Sequence, residues 1–109
     1  MATVYKVLGQ ISPSALTEGL LYAVPSSTSA IGSSIIIANR GTSVATFRVS
    51  ISVNGASTTA KDYIYYDLPI GANDTFIATI GITLGDLDEV NVYASNSNLS
   101  FSLYGSEIS

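Results

Sequence analysis

The acidic segment "GDLDE" is the one place in this 109-residue sequence where carboxylates gather, as Asp86, Asp88 and Glu89. Oxygen-rich loops bind calcium, but these residues lack the ligand spacing of an EF-hand loop. A paired-carboxylate hydrolase needs two acids held about 5 to 9 Å apart in a cleft. Nothing singles out such a pair among the eight acids of the chain. We therefore interpret the segment as a turn that leads into a strand at Glu89.

The composition excludes most other chemistry. The chain has no cysteine and no histidine, so zinc sites, Ser-His triads and Cys-His dyads cannot be built. Four basic residues against eight acids give a net charge of −4, and four scattered cations cannot form the positive stripe that nucleic-acid binding requires. We predict a protein that is not an enzyme, that needs no cofactor and that binds no nucleic acid.

Two arginines are candidates for contacts with other molecules. Arg48 lies in the middle of the alternating run "VATFRVSISV", on its predicted outward face, where Asp67 or Glu107 could pair with it across strands. Such a pair contributes under about 1 kcal/mol if exposed. If a neighbouring subunit covers that face, the guanidinium could instead hold a carboxylate or backbone carbonyls of the interface. Arg40 lies in the turn "ANRG" and is predicted to project toward a partner.

Tyrosines and the N-terminal segment supply the other candidate contacts. In "KDYIYYDL" the alternation places Tyr63 and Tyr65 on one face and Ile64 and Tyr66 on the other. Exposed tyrosines are typical of protein interfaces and of sugar-binding surfaces, and plain cross-strand packing is the third reading. The absence of tryptophan favours a protein interface over a sugar site. Val4 and Tyr5 belong to a predicted first strand that could pair with another protein by strand addition.

The elements that position these residues are β-strands. Apolar residues recur with a period of two, as in Phe47, Val49 and Ile51 inward against Thr46, Arg48 and Ser50 outward. Turn residues rich in Gly, Pro, Asn and Ser separate the runs. We predict eight strands and essentially no helix, at residues 3–11, 19–25, 32–39, 44–53, 62–68, 74–84, 89–95 and 99–105. Residues 1–109 are therefore expected to form one antiparallel β-sandwich, either a jelly roll or an immunoglobulin-like fold.

Low charge suggests that much of the surface meets other subunits. Charged residues make up 11% of the chain, less than half of the usual quarter, and Ser, Thr and Asn take their place. Such a surface is poorly defended against association. The N-terminus lacks the basic and apolar regions of a signal peptide, and no stretch has the ~18 apolar residues of a membrane span. We expect synthesis in a cytoplasm and no membrane partner.

The sequence resembles small β-rich virion proteins of tailed bacteriophages. The likeness covers nearly the whole chain and is carried by short signatures: "LGQ" at 8–10, "LLYAVP" at 20–25, "SSI" at 33–35, "NR" at 39–40, "FRV" at 47–49, the "TF…GITL" strand and the terminal "SFSLYGSEI". No catalytic motif is among them. The resemblance implies a β-sandwich subunit with a structural role in the virion, and some members of this group decorate or cement the capsid.

The resemblance and the composition together predict a capsid decoration protein. Its partners would be itself, as a trimer or another cyclic homo-oligomer, and a major capsid or other virion protein. Many weak identical contacts would attach it through avidity. A neck or tail component, such as an adaptor or a fibre-base module, is the first alternative. A carbohydrate- or receptor-binding module that uses Tyr63 and Tyr65 is the second.

Overall fold

The computed structural model describes residues 2–109 and is built of β-strands. The strands are β1 (Thr3–Ile11), β2 (Gly19–Ala23), β3 (Ser29–Asn39), β4 (Ala45–Ser52), β5 (Tyr63–Ile70), β6 (Thr75–Leu84), β7 (Glu89–Ala94) and β8 (Leu99–Ile108). Two three-residue 3-10 turns, Val53–Gly55 and Ala60–Asp62, lie between β4 and β5. The predicted all-β class is confirmed. Within residues 2–109, the chain forms no helix of the length and apolarity needed to cross a membrane.

The strands form two four-stranded antiparallel sheets that pack as a sandwich. The first sheet has the order β1-β8-β3-β6 and the second has the order β2-β7-β4-β5. The pairs are nested along the chain: β4 pairs with β5, β3 with β6, β2 with β7 and β1 with β8. One long hairpin rolled over on itself produces this order, which is that of a jelly roll. The topology therefore decides between the two predicted sandwich types.

The core between the sheets is built from the inward positions of the alternating runs. Phe47 and Val49 of β4 are fully buried, as are Phe101 and Leu103 of β8. The ring of Phe47 lies near those of Tyr65, Phe76 and Phe101, with centroid separations of 6.0, 5.2 and 6.3 Å. Burial of these apolar side chains is the main favourable contribution to folding. The period-two pattern thus predicts the inner faces of β4, β6, β7 and β8 correctly.

The alternation fails at strand irregularities. In β2 it predicts that Leu20 aligns with Tyr22 on the inner face. The pairing of β2 with β7 shifts between Leu20 and Tyr22, and as a result Leu21 and Tyr22 are both buried while Leu20 is half exposed. The alternation is therefore correct for Tyr22 and wrong for Leu20, because a bulge adds a residue to one strand and reverses the faces on its two sides.

Ser50 is a second correction. The alternation places it outward, and it does lie opposite Asn91 on the outer side of β4, yet its exposed fraction is 2%. The segment 53–62 folds back over this part of the sheet, where Thr58 Oγ1 lies 3.4 Å from Ser52 Oγ and Asn91 Nδ2 donates to Ser52 Oγ at 3.1 Å. The chain therefore covers part of the outer face of its second sheet with its own loop.

Candidate functional site

The acidic segment is used within the fold. The Asp88 carboxylate accepts hydrogen bonds from the backbone N–H groups of Gly85 and Asn54, each at 2.8 Å. These contacts hold the β6–β7 turn and tie it to the turn that follows β4, as the interpretation of "GDLDE" as a turn predicts. Among residues 2–109, no group of three or more acidic side chains is placed to hold a metal ion.

Arg48 forms the centre of a stacked row on the outer face of the second sheet. Its Nε donates to Asp67 Oδ1 at 2.6 Å and its Nη2 donates to Asp67 Oδ2 at 3.3 Å, so Asp67 is the partner among the two that the sequence proposed. The guanidinium carbon lies 4.3 Å from the ring centroids of both Tyr66 and Tyr93, a cation–π geometry on both sides. The Asp67 hydrogen bond raises the pKa of Arg48 further above its ordinary value.

The tyrosines of β5 do not lie on the two faces that the alternation predicts for them. Tyr65 is turned inward, with its ring 5.4 Å from that of Phe76 at the edge of the core. Tyr63 packs edge-to-face against Tyr66, with centroids 4.9 Å apart, and Tyr66 continues to Arg48. Shifts in the β4–β5 register at Phe47, Val49 and Ser50 account for the difference. Tyr63 and Tyr65 therefore do not form a common exposed platform, and Tyr66 is the most exposed tyrosine of the three.

A shallow recess lies beside this row. Thr58, Thr59, Ala60, Tyr63 and Tyr66 line about 510 Å³ of space between the 53–62 segment and β5. Its walls offer hydroxyl groups and two aromatic rings. Asp62 borders it: the Thr59 backbone N–H donates to Asp62 Oδ2 at 2.8 Å, and this bond lowers the pKa of the carboxyl below its usual value.

Glu107 is tied to the opposite sheet. Its Oε2 accepts a hydrogen bond from the hydroxyl of buried Tyr22 at 2.5 Å, and its Oε1 lies 3.4 Å from Lys6 Nζ. The Tyr22 bond, followed by the smaller effect of Lys6, lowers the pKa of Glu107. Burial and the neighbouring carboxylate raise the pKa of Tyr22. This contact links β8 of the first sheet to β2 of the second.

Arg40 has a different environment from the other cations. Its Nε donates to Ser100 Oγ at 2.8 Å, and its Nη2 donates to Ser12 Oγ at 2.9 Å and to the Ser97 carbonyl at 3.2 Å. Lys6, Arg48 and Lys61 each lie against a carboxylate, whereas no carboxylate of residues 2–109 lies within salt-bridge distance of Arg40. Its guanidinium is therefore exposed and uncompensated, and its role toward a partner stays a prediction.

Val4 and Tyr5 lie on β1, which is an edge strand of the first sheet. One side of β1 pairs with β8, and the other side has no strand neighbour within residues 2–109. Tyr5 has an exposed fraction of 85% and Val4 is half exposed. An edge strand can accept a strand from another protein, and the role of Val4 and Tyr5 in such a contact stays a prediction.

The outer face of the first sheet is the largest feature that the candidate residues did not anticipate. Its side chains lie in four cross-strand rows: Tyr5, Ser106, Ile31, Thr83; Val7, Tyr104, Ser34, Thr79; Gln10, Ser102, Ile36, Ile77; and Ser100, Ala38, Thr75. No charged residue occurs in these rows. Ile77 is 67% exposed. An isoleucine at an outward position between threonines in "TFIATIGITL" is the signal that could have indicated this face.

The strand order and the packed sheets define a jelly-roll β-sandwich, and three solved structures of viruses are similar to it. The chain is similar to a chain of the "Acidic stable capsid structure of Helicobacter pylori bacteriophage KHP30", with a TM-score of 0.51, 14% identity and coverage of 99% of this chain and 98% of that one. It is also similar to the "Structure of infectious bursal disease virus Gx strain", with a TM-score of 0.59, 14% identity and 97% coverage.

The chain is also similar to a second infectious bursal disease virus structure, of the Gt strain, with a TM-score of 0.53 and 8% identity. The chain spans about a third of the length of the infectious bursal disease virus chains, 32% in both cases. No protein-family model matches the sequence, and no curated protein matches it. At these low identities the similarity establishes a shared fold.

Proposed function

We propose that this chain is a structural protein of a phage virion, and that it decorates and stabilises the capsid. The observation that carries the proposal is the match, over 99% of this chain and 98% of the other, to a chain of a Helicobacter phage capsid structure. The likeness therefore extends over two whole chains of similar length. The sequence resemblance to phage virion proteins supports the same class of function.

The surface of the molecule supports a role in contacts. β1 offers a strand edge with exposed Val4 and Tyr5, the rows of the outer face of the first sheet are uncharged, and Arg40 is exposed without a carboxylate partner within residues 2–109. The titratable groups with shifted pKa values serve structural contacts within the sandwich. A decoration protein bridges neighbouring shell subunits, and many identical copies attach firmly through avidity even when each contact is weak.

Copy number tests the proposal directly. Purified particles are separated on a denaturing gel, and the intensity of this protein is compared with that of the shell protein. A decoration protein is expected at a copy number near that of the shell protein. About a dozen copies or fewer would support the neck or tail alternative, and absence from purified particles would contradict any virion role.

A loss-of-protein experiment tests the stabilising role. Particles assembled without the protein should release their DNA at a lower temperature than complete particles, and also at low ionic strengths at which complete particles stay intact. Adding the purified protein back should restore the original resistance, which controls for assembly defects. Equal resistance with and without the protein would contradict stabilisation of the head.

A further inference from the structure

We propose that the outer face of the first sheet, the four uncharged rows defined above, is a self-association surface on which a second copy of this chain packs face to face. The proposal concerns the isolated chain and does not depend on the virion role. It assigns an occupant to a surface that includes Tyr5 among the candidate residues and borders Arg40, which donates to Ser100 of the fourth row, but lies apart from Arg48, Tyr63 and Tyr65.

The face exposes apolar side chains in several consecutive rows. Tyr5 and Ile31 belong to the first row, Val7 to the second and Ile77 to the third, and each of the four is exposed. These four side chains lie on three of the four strands, and Ser106 separates Tyr5 from Ile31, so the face mixes exposed apolar and hydroxyl-bearing side chains. Apolar side chains gathered on one exposed face favour an interaction site. The second sheet differs, because the chain's own 53–62 segment covers Ser52 and Asn91 on its outer side.

The charge distribution selects a second copy as the occupant. In a two-fold contact a surface meets itself, so any acidic patch would meet an equally acidic patch and be repelled. The chain carries eight acids and four bases, and none of them lies in the four rows. The rows can therefore meet the same rows of a second copy without placing like charges opposite each other. Arg40 lies at the border of the face, where its Nε donates to Ser100 Oγ of the fourth row at 2.8 Å.

The size of the face fits a weak dimer. Strands about 4.8 Å apart and rows about 6.6 Å apart, two residues along a strand, give the fifteen side-chain positions of the four rows an area of roughly 480 Å². Two copies would thus bury roughly 950 Å², close to the ~1,000 Å² expected of a specific interface. Hydroxyl groups of Ser34, Ser102 and Thr79 within the rows can donate and accept hydrogen bonds across the contact.

The oligomeric state of matched variants tests the proposal. Sedimentation velocity should give the unmodified protein a mass of two chains. Ile77→Lys should raise the dimer dissociation constant at least about tenfold, because the contact would bury an unpaired charge. Val53→Lys is the control. Val53 is 68% exposed, close to the 67% of Ile77, but it lies beyond the end of β4 and outside the four rows. Unchanged far-UV circular dichroism would show that both variants fold.

A cross-linking measurement locates the contact. The chain has no cysteine, so single-cysteine variants react at one place. Ser102 lies on a central strand and in a central row, near the point where a two-fold axis would cross the face. A bis-maleimide of about 10 Å, the spacing of packed sheets, should join two copies of Ser102→Cys. It should not join copies of Ser26→Cys, in the exposed β2–β3 turn.

The outcomes separate this proposal from the proposed function. A monomeric unmodified protein, a closed trimer, dimers that survive Ile77→Lys, or equal dissociation by Val53→Lys would each overturn face-to-face pairing. If the isolated protein is monomeric and Ile77→Lys prevents attachment to particles, the occupant is a shell protein, which overturns self-association and leaves the virion role intact. Dimers that depend on Ile77, in a protein absent from purified particles, would uphold the pairing and contradict the virion role.

Discussion

Phe47 lies at the centre of the aromatic cluster that joins the two sheets. Its ring is fully buried and lies within 6.3 Å, centroid to centroid, of Tyr65, Phe76 and Phe101. Phe47→Ala should lower the free energy of unfolding by about 3–5 kcal/mol, through lost apolar burial and the cavity left behind. Urea denaturation followed by circular dichroism measures this. Phe47→Leu, which retains most of the volume, should cost clearly less; equal losses would contradict the packing argument.

The Tyr22–Glu107 hydrogen bond makes stability depend on pH in the acidic range. The fold lowers the pKa of Glu107, so the folded state favours the carboxylate more than the unfolded chain does. The resulting stabilisation is present above the pKa of the unfolded chain and is lost as the pH falls through the lower folded value. Melting temperatures between about pH 6 and pH 3 should therefore decrease more for the unmodified protein than for Tyr22→Phe.

Tyr22→Phe is a close control because it keeps the buried ring and removes only the hydroxyl. Lys6 still faces Glu107 in that variant, so part of the pH dependence should remain. The difference between the two proteins should be largest at neutral pH and smallest at the acid end. A constant difference across the range would show that the hydroxyl contributes without coupling to the charge of Glu107.

For Arg48, the sequence predicts the position of the side chain but only part of its surroundings. Its outward position follows from the alternation, and the few acids of the chain leave Asp67 and Glu107 as candidate partners, between which the structure selects Asp67. The stacking between Tyr66 and Tyr93 does not follow, because it depends on which strands are neighbours: Tyr93 lies directly opposite Arg48 on β7. Pairing between strands distant in sequence leaves no local signal.

Bulges are the elements that limit prediction of the faces. The eight strands lie close to the predicted positions, although β3 begins three residues earlier, at Ser29, and β8 ends three residues later, at Ile108. The register of β2 shifts at Leu20, and that of β5 shifts opposite Phe47 to Ser50. Each shift reverses the pattern beyond it, which is why Leu20 is exposed and Tyr65 is turned inward. A third shift lies in β3, between Gly32 and Ser34. Nothing in the sequence distinguishes Gly32 from the other glycines, so this shift could not be predicted.

A substitution at Ser50 tests whether the 53–62 segment covers the outer side of β4. Ser50 lies on the outer side of β4 with an exposed fraction of 2%. Ser50→Lys should therefore lower the free energy of unfolding by more than about 2 kcal/mol, because the ammonium group must be buried or the loop displaced. Thermal unfolding measures the change. Thr46→Lys, a half-exposed outward position on the same strand, should have little effect, and equal effects would show that the loop does not cover Ser50.

The sequence does not decide which of the two sandwich topologies the whole molecule adopts. Both require about eight alternating strands with turns between them. The jelly roll arises because each pair except β4–β5 joins strands that are not consecutive, up to β1 with β8. The same long-range pairing assembles the uncharged outer face from Tyr5, Ile31, Ile77 and their neighbours, residues more than seventy positions apart at the extremes. Period-two patterns identify inward positions and cannot show which outward positions become neighbours.

The salt dependence of self-association distinguishes an uncharged interface from a charged one. Two copies of a chain with a net charge of −4 repel each other at long range, while the proposed contact contains no ion pair. Raising the ionic strength from about 0.05 to about 0.5 M shortens the screening length to a few ångströms and removes most of that repulsion. Sedimentation equilibrium should therefore show tighter association at the higher salt concentration, and Ile77→Lys should remain monomeric at both. Association that weakens with salt would mean that charged groups such as Arg48, on the other sheet, hold the copies together, and it would contradict pairing through the uncharged rows of the first sheet.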